Sequence, residues 1–128
     1  MLLYPGGTDA DWDVEGYSFF ENFFSDLGMA RTYAGQANTP SLLLFASALV
    51  LMGTALICFF VVMPGYFDGT RLERISSRVG SVGGVLAGVS CIGIAATPWD
   101  LALNAHLIFV FSLSASFLLA VVSYSVAI

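Results

Sequence analysis

Lysine is absent from this 128-residue chain, and only four arginines stand against nine acids. That balance argues against nucleic acid as a partner, since neutralising phosphates takes clustered Lys and Arg. Charge of either sign is scarce. Charged residues make up 10% of the chain and hydrophobic residues 58%, whereas soluble domains carry roughly 25% charged residues. So few charges cannot cover the surface of a soluble fold, and the natural solvent for the chain is lipid. There is one histidine, and Cys58 and Cys91 lie in apolar runs without a Cys-x-x-Cys pair. These counts argue against an ordinary zinc centre, and no cofactor or metal is expected. Both cysteines read as buried free thiols acting as small hydrophobes. No basic N-terminal region leads into an apolar stretch, so the pattern is not that of a secretory signal peptide.

What is present is long apolar runs. Residues 41–63, "SLLLFASALVLMGTALICFFVVM", contain no charge and are long enough as a helix to cross a hydrocarbon core of about 30 Å. The run follows "NTPS", where Asn38 or Thr39 suits the cap and Pro40 the first helical position, and it stops at Pro64-Gly65. A second span reaches Thr97, with its helix starting near Arg71, because "TRLE" at 70–73 has the capping-box spacing. A third runs over about 101–128. The sequence therefore predicts one all-α membrane domain over 1–128, an integral helical bundle with three transmembrane helices at about 41–63, 71–97 and 101–128. Its ends, "MLLYPGG" and "VVSYSVAI", look abrupt, which suggests a shortened member of a larger design or a fragment.

The loops differ in charge. Arg71, Arg74 and Arg78 fall between or at the edge of the first two spans, whereas Asp9, Asp11, Asp13, Glu15, Glu21 and Asp26 precede them with only Arg31 among them. The positive-inside rule puts residues 64–78 in the cytoplasm and residues 1–40 outside. The turn "TPWDLALNAH" then shares the outer face with the N-terminal segment, bringing Asp26, Asp100 and His106 to one side. The three arginines also suit anionic lipid headgroups.

Within the outer segment, "GYSFFENFFSDLG" at 16–28 places Phe19, Phe20, Phe23, Phe24 and Leu27 on one arc of a helical wheel. Ser18, Glu21, Asn22, Ser25 and Asp26 fill the opposite arc. The expectation is a short interfacial amphipathic helix at about 17–28, ended by Gly28, with its phenylalanines toward lipid or bundle and Asp26 toward Asp100 or His106.

The stretches "YPGG", "GYSFFENFFSDLG", "TYAGQANTPSLLLF" and "TPWDLALNAHLIFVF" resemble a family of small prokaryotic membrane proteins, domain-of-unknown-function family 998. The chain is also distantly similar to the Frag1/DRAM/Sfk1 group, which has a related Ser-Asp-x-Gly element before a long helix. The resemblance covers most of the chain. It implies a prokaryotic cytoplasmic membrane and about six transmembrane helices, more than the three spans counted here by length. It implies no particular activity.

Two readings of the polar residues stay open. In one, Ser25, Asp26, Asp100 and His106 form the catalytic set of an outer-leaflet lipid hydrolase or transferase. Asn104 caps the third helix, a neutral His106 acts as base, a carboxylate orients it and Ser25 is the nucleophile. In the other, Asp26, Asp100 and His106 are a polar clamp in a structural or accessory protein. That protein would pack with other transmembrane helices or its own copies, in contact with membrane lipid. Gly80, Gly84 and Gly88 recur at every fourth position and predict a close helix-packing face. Serines in the last span read as interhelical hydrogen-bonders. A transporter fits less well, since no span carries a charge at its middle.

Overall fold

A computed structural model describes residues 2–128; Met1, the first residue of the expected outer segment, lies outside them. The chain is all-helical, with three long helices: α1 (Thr39–Val62), α2 (Arg71–Ala96) and α3 (Trp99–Ala127). All three are long and apolar enough to cross a membrane, and the chain is an integral membrane protein. The bounds follow the expected signals. Asn38 sits at the α1 N-cap with Pro40 in the first turn. A short 3-10 turn, Met63–Tyr66, carries the chain through Pro64-Gly65. The Thr70 hydroxyl accepts from the Glu73 amide at 3.1 Å and starts α2.

α2 is the middle of the three. Of its most apolar stretch 50% is buried, against 11% for the spans Thr39–Tyr66 and Trp99–Ala127 on either side. The glycines explain how one helix packs on two neighbours. A methyl group at Gly53 would lie 2.6 Å from the Gly88 carbonyl oxygen, and one at Gly88 would lie 2.7 Å from that of Gly53. The α1 and α2 backbones therefore touch at that crossing, where no side chain fits. Gly84 lies flat against the Phe60 ring of α1, while Gly80 and Gly83 face Tyr124 and the Ser116 carbonyl of α3. The expected packing face exists, and it is consumed inside the chain by two different partners.

Polar bonds cross the helices sparingly. Ser81 meets the Tyr124 hydroxyl at 2.7 Å, Ser90 donates to Ser112 at 2.9 Å, and the Cys91 thiol points at the Leu49 carbonyl. Ser114, Ser116 and Ser125 instead bond back to carbonyls four residues earlier in α3, which satisfies a hydroxyl without any neighbour. The serines of the last span are thus mostly local bonders. Cys58 is exposed on α1, while Cys91 is buried. The expectation of two buried thiols holds for Cys91 alone.

The expected α-helix over 17–28 is not formed. Residues Phe24–Gly28 make a 3-10 helix, preceded by turns. The cause lies in the two side chains that made the wheel look amphipathic. Asn22 Oδ1 accepts from the Ser18 amide at 2.9 Å, and Asp26 Oδ2 accepts from the Phe23 amide at 2.9 Å. The second bond diverts a donor that a helix would send to the Phe19 carbonyl, and the first ties the Asn22 side chain back to the start of the segment. Gly28 keeps a negative φ, so it is not a left-handed helix stop. A methyl there would strike the Phe45 ring at 2.5 Å, and this contact brings the segment down on α1.

Candidate functional site

The N-terminal segment folds as a cap over the ends of α1 and α3. Asn38 is fully buried, and its Nδ2 reaches the carbonyls of Asp26, Leu27 and Met29 at 3.4, 3.3 and 3.0 Å. Ser41 donates to the Leu27 carbonyl at 2.9 Å. These two side chains from the start of α1 satisfy the carbonyl ends of the 3-10 helix, which would otherwise be buried without partners. The sequence marked Asn38 only as a helix cap; its reach across the chain gave no local signal.

Asp26 is fully buried at the centre of the cap. Its carboxylate accepts from the Trp99 indole (3.1 Å), the Asn22 amide (3.0 Å) and the Phe23 backbone (2.9 Å). The Asn22 amide also donates to the Gly7 carbonyl at 2.9 Å. Three tyrosines feel this carboxylate. Burial, then the charge of Asp26, then that of Asp9, push the Tyr33 hydroxyl up to about 12. Tyr4 and Tyr17 are raised for the same first two reasons.

Asp100 makes a separate latch. It accepts from the Ala30 amide at 3.0 and 3.1 Å and from the Arg31 amide at 3.0 Å. This aim depends on a break in α3. Ala102 has φ −144° and ψ 53°, so the first turn from Trp99 is offset from the rest of the helix. The break falls at Ala102, ahead of Asn104, and the expected Asn104 cap is not the one used; Pro98 precedes the first turn. The offset turn carries Trp99 to Asp26 and Asp100 to the Ala30–Arg31 backbone.

His106 bonds to neither carboxylate. Its side chain is 5% exposed, and its Nδ1 lies 2.7 Å from the Thr97 carbonyl oxygen. A carbonyl only accepts, so Nδ1 carries a proton, and in the neutral ring Nε2 is left as the acceptor. Nε2 makes no hydrogen bond within the described residues. His106 borders two adjoining hollows. One, of about 270 Å³, is walled by Phe23, Trp99, Leu103 and Leu107; the other, of about 350 Å³, by Phe45, Leu49, Met52 and Leu113. Ser25 and His106 line both, and they are the polar side chains at the junction.

No protein-family model, curated protein or solved structure matches the chain.

Of the four candidate residues, the structure thus pairs Ser25 with His106 along one cleft and sends Asp26 and Asp100 to different partners. The expectation that Asp26 turns toward Asp100 or His106 gives way to the Trp99 indole, which donates to it at 3.1 Å, while His106 Nδ1 is taken by the Thr97 carbonyl. No three His, Cys, Asp or Glu side chains among the described residues are grouped to hold a metal ion. Of the five apolar residues on the expected helix face, only Leu27 is buried against protein; Phe19, Phe20, Phe23 and Phe24 are exposed beside the bundle. At the far end, Arg74 donates to the carbonyls of Asp68 and Gly69, tying down the loop before α2.

Proposed function

We propose that the protein is a structural or accessory component of the membrane, in which the helices carry a rigid acidic cap and pack with other transmembrane helices or copies of the chain. One observation carries this reading: both carboxylates are spent on holding the cap. Asp26 accepts three hydrogen bonds and Asp100 two backbone amides, leaving neither to orient His106. With its glycine face already filled, the chain would meet partners through the exposed apolar sides of α1 and α3, for example at Leu51 and Phe111. The charge asymmetry of the loops supports a cap outside and a cytoplasmic arginine loop, with Arg71, Arg74 and Arg78 near anionic headgroups. The motif residues of the cap support membership of domain-of-unknown-function family 998 and a prokaryotic cytoplasmic membrane. Photo-crosslinking residues placed at positions 51 and 111 in native membranes test the reading. Adducts with a second polypeptide are expected; adducts with lipid alone would overturn it.

A second reading, an outer-leaflet hydrolase or transferase, draws on the cleft shared by Ser25 and His106 and on the fixed tautomer of His106. It lacks a hydrogen bond between the two and a carboxylate behind the histidine. A serine-directed fluorophosphonate decides it: labelling of the native protein that is lost in Ser25→Ala supports the enzyme, and absence of labelling removes it.

A further inference from the structure

We infer that the cleft at Ser25 and His106 is a binding site for a neutral glycerolipid with a free hydroxyl, a diacylglycerol. The inference goes beyond the structural reading and holds with or without turnover.

The shape comes first. Two apolar hollows of about 270 and 350 Å³ adjoin, and the residues common to both are Phe23, Ser25, His106 and Val110. The chemistry of the walls is aromatic and aliphatic on either side of one polar pair. An amphiphile with two acyl chains and a small polar centre matches that division, one chain to each hollow.

The polar pair then selects the centre. His106 is almost wholly buried and lines both hollows, its Nδ1 is committed to Thr97, and in the neutral ring Nε2 is an acceptor without a hydrogen-bond partner among the described residues. It calls for a donor, and a lipid hydroxyl is one. Ser25 is half-buried beside it and makes no hydrogen bond of its own through its side chain within the described residues. Its hydroxyl can donate to an ester carbonyl, the group next to the free hydroxyl of a diacylglycerol. A hydrocarbon chain alone would leave both groups unmatched, at a cost that favours any ligand able to pair them.

Charge excludes the alternatives. Neither hollow is lined by an arginine, so no permanent positive charge there holds a phosphate. The cap above carries Asp9, Asp11, Asp13, Glu15 and Glu21, with Arg31 the one basic side chain, and it repels anionic headgroups. Phosphatidic acid and phosphatidylglycerol are disfavoured on both counts.

Trp99 lines the smaller hollow and reports occupancy directly. Trp12 is exposed on the cap, so the Trp12→Phe protein keeps Trp99 as its one tryptophan. In phosphatidylcholine nanodiscs, a diacylglycerol with brominated chains should quench Trp99 with saturation at low mole fraction. Unbrominated dioleoylglycerol should reverse the quenching about twofold to tenfold more effectively than its methyl ether, which lacks the hydroxyl, as expected for one hydrogen bond. His106→Phe should abolish that preference, and Ser25→Ala, which breaks no bond in the fold, should weaken binding of both competitors. Quenching that rises in proportion to mole fraction, equal competition by the ether, or stronger competition by dioleoyl phosphatidic acid would each overturn the site. Since the alcohol and ether are compared on the same protein, misfolding of a variant cannot decide the outcome.

Discussion

Asp100→Ala should unlatch the cap, and trypsin can read the event at one bond. The chain has no lysine, and the cap's one tryptic position is Arg31. In the folded protein that position is guarded. Asp100 holds the Arg31 amide at 3.0 Å, and the following Thr32 is 4% exposed with its own amide on the Gln36 carbonyl. Cleavage therefore needs local opening. Hydrogen bonds to a charged group contribute about 1.5–3 kcal/mol. One of the two amides on Asp100 is solvent-exposed, so the pair together is placed in that same range rather than at its sum. Each 1.4 kcal/mol is tenfold in the open population, and where reclosing outpaces cleavage the rate follows that population. Cleavage after Arg31 should accelerate about tenfold to hundredfold in nanodiscs. Asp100→Asn keeps one acceptor oxygen and should fall between the two. Cleavage after Arg71, Arg74 and Arg78, at the other end of the bundle, is the internal control and should not change. Equal rates for wild type and Asp100→Ala at Arg31 would refute the latch, and equal acceleration at both ends would show global loosening instead.

Trypsin added outside intact cells should cut the Asp100→Ala protein after Arg31 and leave the arginine loop whole; the opposite pattern would reverse the orientation and place the cap in the cytoplasm. Gly84→Leu drives a side chain into the Phe60 ring and should destabilise the bundle by about 1–3 kcal/mol or more in mixed-micelle unfolding, while Gly65→Ala, with open space around it, should be near neutral; equal effects would refute the packing role of Gly84. Asn38→Leu strands three carbonyls and should cost about 1–3 kcal/mol, seen as faster amide exchange across residues 26–30, and unchanged exchange there would remove its bracing role. Tyr33 holds its proton to about 12 in the fold but releases it near 10 when unfolded, so the unfolded state binds fewer protons in that window and cap stability should fall as pH rises from about 10 to about 12; ultraviolet titration that finds Tyr33 ionising with the ordinary tyrosines would contradict this.

The spans were legible because a run such as residues 41–63 has no charge to place anywhere but in water. Their ends were legible too, since Thr70 and Pro64 act within a few residues of themselves. The glycine face was recognised, but its division between two partners was not. Gly84 and Gly80 share one stripe of α2, and only the third dimension shows that Phe60 and Tyr124 approach it from different sides. The opening cap defeated the helical wheel for a physical reason: periodicity records where side chains would lie on a helix, and Asn22 and Asp26 offer the backbone a rival to that helix. The Trp99 indole carries no local mark of its partner, because Asp26 lies 73 residues earlier in the chain. A restart of the third helix after Asp100 was expected through an Asn104 cap, but its place at Ala102 had no signal, as alanine is a good helix former and the offset turn is held by contacts far along the chain.

α1 and α3 are joined near both ends and hardly between. The cap bridges them at one end through Gly28 on Phe45 and Trp99 on Asp26. At the other, Tyr124 stacks near Phe60 and Phe67, with ring centres 5.9 and 5.3 Å apart. The hollows at His106 are walled almost wholly by apolar side chains of the cap and the helices. Such a lining suits molecules that partition into hydrocarbon and offers little to solutes that must keep their water.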